Sequence, residues 1–303
     1  MSKIEPKPDD SMRFRASATV RPGGQKPKRI GILLNGLDGK ANTVALRFLI
    51  LEMNRIQQTF EYEFLPFEDD DFLAMLRSQG PLDRTAVKAQ AAAFHQRFST
   101  YLVGLNTSYS LQEAPPDYFV VVCLTTFEDK YYTTRKDRVS VIALGNWERH
   151  MAPPSIVEFL LALVVREAVA SVSPSLSGSV HLGTKGCLFD FTLHLDDVRF
   201  KVLNAFVCRH CEDALSTDQL PALADEIQLV LGKKWLGVTT KVGTPAAIAS
   251  QLGHDLFVTK GLQPTLWERV LQILREEGTK QVVNVVGLVG VAALLAWLGI
   301  KES

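Results

Sequence analysis

Residues 178–191 read GSVHLGTKGCLFDF, and residues 206–211 read FVCRHC. The two stretches hold three of the 4 cysteines in a chain of 303 residues. Cys187 is followed after a long gap by Cys208, and Cys208 by Cys211 in a CxxC pair. Zinc takes thiolate and imidazole ligands, normally four of them, so three sulfurs in this spacing ask for one more donor. His181, His194 and His210 all lie close by in sequence. His181 is the preferred donor, because the turn GTKG leaves the chain free to fold back onto the cysteines. Two other readings stay open at this level, a redox pair and unliganded thiols. A thioredoxin-type CxxC would follow a strand early in a small domain, and this pair is late.

The surrounding chain predicts an α/β protein. Upstream, Pro153-Pro154 and the Ser155/Glu158 capping-box spacing start a helix, IVEFLLALVVREAVASV, over 156–172. It is apolar nearly all round until Arg166-Glu167, so it should be buried against a sheet. Apolar runs at 29–35, 117–124 and 138–144 predict buried strands, and FEYEFL at 60–65 a half-exposed one. Between them, 41–57 predicts a helix with Val44, Phe48, Leu51 and Ile56 on one side, and 84–105 a second helix. Strands alternating with helices argue for an α/β sheet. GLDGK at 36–40 lacks the spacing of a phosphate loop and reads as an ordinary strand-to-helix turn.

The order of these parts resembles the archaemetzincins, zincin-fold metallopeptidases. In that family a buried helix carries HExxH, followed by GxxH, a cysteine, four residues, a second cysteine and a later CxxC. The histidines hold a catalytic zinc and the four cysteines a structural one. The likeness covers about residues 117–215, through Gly178–His181, Cys187-Leu-Phe-Asp-Phe and Cys208-Arg-His-Cys. It implies an α/β fold, an α+β zincin-like mixed sheet with helices. The departures are chemical. The HExxH position reads Arg166-Glu167-Ala168-Val169-Ala170, and Leu182 stands where the first cysteine belongs. Arg166 has no lone pair for a metal and Ala170 offers nothing, so Arg166, Glu167 and Ala170 are degenerate catalytic positions. The resemblance then implies one structural zinc, held by His181, Cys187, Cys208 and Cys211.

Residues 216–279 predict a small helical region. Leu220, Leu223, Ile227 and Val230 have helical spacing over 216–231, Thr244-Pro245 starts a short helix, and Thr265/Glu268 caps another. Leu266, Val270, Leu271 and Leu274 fall on one side of that last helix, and Trp235, Phe257 and Trp267 read as core. Residues 281–300, QVVNVVGLVGVAALLAWLGI, contain no ionisable group and are long enough to cross a bilayer. The expectation is a tail anchor over 280–301 with bilayer lipid as partner, and single-pass membrane localisation with the N-terminal bulk cytoplasmic. Gly287, Gly290, Ala293 and Ala296 are compatible with a homo-oligomer through the span. The polar leader 1–28 is expected to be disordered, 29–215 to form the zincin-like domain with its zinc knuckle, and 216–279 the helical region. Lys+Arg and Asp+Glu are both 33, which gives no basic excess for a nucleic-acid partner.

Two function classes follow. One is a non-catalytic, zinc-stapled zincin-like protein acting as a sensor, a module for an unknown protein or small-molecule partner, or a membrane effector in bacterial signalling or defence. The other is a divergent membrane-bound metallopeptidase using Glu167.

Overall fold

The computed structural model describes residues 26–277, apart from 39–41, 68, 79, 179–180, 256–258 and 262. β1 (Lys28–Asn35), α1 (Thr43–Ile56) and β2 (Phe60–Phe64) form a parallel βαβ unit with Ile30 opposite Tyr62. Next come α2 (Asp71–Met75), β3 (Pro81–Leu82), α3 (Arg84–Ala92) and α4 (Phe94–Tyr109). β4 (Tyr118–Cys123), β5 (Thr126–Phe127), β6 (Thr133–Lys136) and β7 (Val139–Ala143) follow. The main sheet has the order β2-β1-β4-β7-β6; only β6, at the edge, is antiparallel. β3 and β5 form a separate short parallel pair. The fold is mixed α/β with a parallel-dominated sheet.

Period-two alternation sends the side chains of each strand to two different cores. Leu33, Phe119, Val121 and Val141 pack under α2–α4 with Phe67, Phe72, Phe94 and Phe98. Ile30, Ile32, Val120, Val122 and Ile142 pack on the other face against α5 (Ile156–Ala170). Strands covered on both faces bury every side chain, which is why they read as unbroken apolar runs. α5 starts at the expected capping box, and all of it except Glu158 and Ala170 is buried. α6 (Leu195–Asn204) and α8 (Pro221–Leu231) pack on α5, and α7 (Arg209–Thr217) on α8. α9 (Pro245–Gln251) lies against α1, and α10 (Leu266–Glu277) ends the described chain.

Several local expectations give way to packing. The helix predicted over 84–105 is two helices, broken at Ala93, so that Val87 and Ala91 of one and Phe94 and Phe98 of the other reach the same aromatic core. α1 buries Leu46, Leu49, Ile50 and Met53, while Val44 and Leu51 face outward. The helix predicted from residue 216 starts at Pro221, after Gln219 turns the chain at φ 62°. Thr265 and Glu268 do cap α10, with Glu268 Oε2 accepting from the Thr265 backbone at 2.7 Å. Its residues Leu266 and Trp267 are exposed, so Trp267 is not a core residue. Trp235 is half-buried and donates its indole N–H to the Val230 carbonyl at 2.8 Å; Phe257 lies outside the described residues. β6 was not predicted, because TTRK has no apolar signature.

The expected single-pass membrane localisation is corrected. Among the described residues no helix is long and apolar enough to cross a membrane. The segment 281–300 that prompted the expectation, and residues 1–25 of the leader, lie outside the described residues.

His254, just after α9, is fully buried, and neither ring nitrogen has a hydrogen-bond partner among the described residues. Burial pulls its pKa from 6.5 down to about 4, against the opposing pull of Glu158 and Glu268. A histidine neutral in the fold and free to charge when unfolded stabilises the protein above pH 6.5. By linkage that contribution, about 3 kcal/mol, fades as pH falls from 6.5 to 4. Urea midpoints are expected to fall across this interval in the wild type and much less in His254→Leu.

Candidate metal centre

The chain leaves α5 through a turn at Pro174–Leu176 and returns along two isolated bridges, His181 with Asp190 and Cys187 with Phe206. The second bridge brings Cys187 beside the start of α7. Cys208 is the N-cap of that helix and Cys211 lies in its first turn. The Cys208 backbone N–H points at the Cys187 sulfur, 3.3 Å away. The positive end of the helix favours thiolate at this position. Gly186 makes the turn into Cys187 at φ +80°, and a β-carbon there would lie 2.7 Å from the Asn204 amide. Gly186→Ala meets both penalties and is expected to cost about 1–3 kcal/mol, read from urea unfolding.

His181, Cys187, Cys208 and Cys211 form one group whose donor atoms all lie within 4.8 Å of one another. The Cys187–Cys211 and Cys208–Cys211 sulfurs are 3.9 and 3.7 Å apart. His181 Nε2 is 3.3 Å from the Cys208 sulfur and 3.5 Å from that of Cys211. A tetrahedron with zinc–sulfur and zinc–nitrogen bonds of ordinary length has edges of about 3.8 Å between sulfurs and about 3.6 Å from sulfur to nitrogen. The residues present therefore fit a zinc ion, and soft sulfur donors favour zinc over hard cations. The hydrogen bond between the Cys187 and Cys211 sulfurs holds the Cys187 pKa down to about 5 against the opposing effect of burial. His194 is exposed at the start of α6, and the His210 ring centre is 6.4 Å from that of His181. Neither belongs to the group.

None of these donors lies on α5, so the cluster is not a degenerate HExxH. The positions that resemble that motif form a separate ionic site. Glu167 is fully buried, with its carboxylate enclosed by three partners. Arg166 Nη1 donates to Oε1 at 2.7 Å and Arg135 Nη2 to the same oxygen at 2.9 Å. Arg135 Nε and the Ser140 hydroxyl both donate to Oε2. Tyr118 Oη is 2.8 Å from Ser140 Oγ and extends the chain of bonds. The register explains the convergence: Arg135 of β6 lies opposite Ser140 of β7, on the face of the sheet that meets α5. Burial alone would raise the Glu167 pKa, but Arg135 above all, with Arg166 and Ser140, pulls it down to about 2. Ala170 lines the wall of an adjacent cleft of about 490 Å³, together with Lys28, Tyr118, Arg135, Arg138 and Ser171.

The chain is similar to two solved structures. One is a zinc-dependent peptidase from Methanocorpusculum labreanum, 13% identical, covering 62% of this chain and 99% of that one at a TM-score of 0.36. The other is the archaemetzincin of Methanopyrus kandleri, 14% identical, covering 66% and 98% at a TM-score of 0.38. Scores this low assign no function and no site to this chain. No protein-family model and no curated protein matches it.

Sequence reasoning missed Arg135, Ser140 and Asp190. Arg135 and Ser140 reach Glu167 only through the pairing of β6 with β7. Asp190 sits three residues after Cys187, where a short carboxylate can receive the backbone N–H groups of its own turn; that spacing was the available signal.

Proposed function

We propose that this chain is a non-catalytic, zincin-like domain with one structural zinc, serving as a partner-binding or sensing module. One observation carries the proposal: both oxygens of Glu167 are taken by Arg135, Arg166 and Ser140. A general base must hold its carboxylate free toward a proton it can abstract, with a pKa near the working pH. Glu167 has neither, since its pKa is pulled to about 2 and two guanidinium groups stand where a base would need water. The neighbouring cleft, about 490 Å³, carries a mixed rim of charges from Lys28, Asp117, Lys136, Asp137 and Arg138, which suits a binding role. The zinc, held by His181, Cys187, Cys208 and Cys211, would tie the segment after α5 to the start of α7. With four protein donors it has no open position for a substrate or water.

The alternative, a divergent peptidase using Glu167, has no free carboxylate oxygen to work with. The test is hydrolysis of a mixed peptide library by the zinc-loaded full chain. No cleavage above background is expected. Cleavage that disappears in Glu167→Gln would overturn the proposal.

A further inference from the structure

Asp190 is fully buried three residues beyond Cys187. Its two carboxylate oxygens do different things. Oδ2 accepts from three consecutive backbone N–H groups: Lys185 and Gly186 at 2.7 Å each, and Cys187 at 3.0 Å. Oδ1 lies 2.7 Å from His181 Nδ1. Both of those facing atoms are buried; their contact is an ion-pair distance, not an aligned hydrogen bond, and neither has a hydrogen-bond partner among the described residues. The backbone of Asp190 is fixed as well. Its N–H donates to the Cys187 carbonyl at 3.0 Å, and its carbonyl accepts from the ammonium of Lys201, a residue that is itself buried. Phe191 N–H reaches the His181 carbonyl at 2.9 Å. One aspartate thus ties His181 and Cys187 together.

From this arrangement we infer that Asp190 is the positioning residue of the metal centre: it selects the His181 tautomer that presents a bare Nε2 to the three sulfurs. The inference rests on the zinc reading given above. A carboxylate only accepts hydrogen bonds, so any proton shared across this 2.7 Å contact must sit on Nδ1 of the ring. Neutral imidazole carries one proton, and with Nδ1 protonated the lone pair is on Nε2. That is the atom lying 3.3 and 3.5 Å from the Cys208 and Cys211 sulfurs. Hydrogen bonds from the far side of a ligating histidine also orient its ring and raise its basicity.

Asparagine at this position separates the role from mere packing. Its carbonyl oxygen would keep the three backbone N–H bonds, leaving its NH₂ to face Nδ1. That donor demands the opposite tautomer, with the proton on Nε2, where it blocks ligation. Asp190→Asn is therefore expected to weaken zinc binding about 10–100-fold in competition with a chelator. The cobalt(II)-loaded protein should lose the spectrum of a three-sulfur, one-nitrogen tetrahedral site. ¹⁵N NMR of the zinc-loaded wild type should show His181 protonated on Nδ1 and metal-bound through Nε2. This measurement stands even where the variant fails to fold. Wild type binding one zinc through Nδ1 of His181 would overturn the inference and leave the zinc reading standing. So would Asp190→Asn with unchanged affinity and cobalt spectrum. Wild type binding no zinc would overturn both.

Discussion

Cys208→Ser is expected to abolish stoichiometric zinc binding and to lower the melting temperature by roughly 10 °C or more. The sulfur of Cys208 is 3.7 Å from that of Cys211 and 3.3 Å from His181 Nε2, so its loss removes a corner shared by two other donors. Structural zinc binding is folding free energy, about 10–16 kcal/mol in small zinc-finger peptides. Here only part of it is at stake. α7 also packs through Leu215, and the Cys187 segment through Leu188 and Phe189, all buried in the main core. A loss of about 4 kcal/mol would correspond to roughly 10 °C at the 2–4 °C per kcal/mol typical of a domain this large. Calorimetry with and without a chelator checks the cause as well as the size. Chelator should bring the wild type down to the melting temperature of Cys208→Ser and leave the variant unmoved. Equal sensitivity of both proteins would contradict the assignment.

The second large effect belongs to Glu167. Glu167→Gln keeps the shape of the side chain and removes the charge that Arg135 and Arg166 share. Breaking a buried ion pair from one side costs about 3–5 kcal/mol, because the remaining charges are left buried and uncompensated. Two such charges remain here. The pH dependence identifies the mechanism. The folded pKa of Glu167 lies below its ordinary value of 4.5, at about 2. Its contribution, about 3 kcal/mol, is therefore complete above pH 4.5 and lost as pH falls toward 2. In urea unfolding the gap between wild type and Glu167→Gln should be widest above pH 5 and close as the solution is acidified. A gap independent of pH would mean that Glu167 acts by shape and not by charge. Replacing the ionic set together, as Arg135→Met with Arg166→Met and Glu167→Leu, should cost far less than Glu167→Gln alone.

Much of the fold was legible because burial on both faces leaves a strong mark. β1, β4 and β7 are apolar runs with no alternative reading, and the Ser155/Glu158 box places the start of α5 to the residue. That His181, Cys187, Cys208 and Cys211 come together was legible for a chemical reason: cysteine is scarce in this chain, and the spacing of these three follows neither helix nor strand period. What the sequence concealed depends on partners distant along the chain. β6 reads as polar loop until it pairs with β7. α1 offers two apolar stripes, and only α8, α9 and the sheet decide that Leu46, Leu49, Ile50 and Met53 turn inward. Arg135 is 32 positions from Glu167, and nothing local marks it as the counter-charge.

The most direct test of the account is the metal content of the purified full chain, by native mass spectrometry and elemental analysis on the same sample. One zinc per chain, released when Cys208 is replaced and retained when Glu167 is replaced, is the predicted result. Two zincs per chain would contradict it by restoring a metal to the α5 site. So would no zinc at all, or a single zinc lost with Glu167 and kept without Cys208.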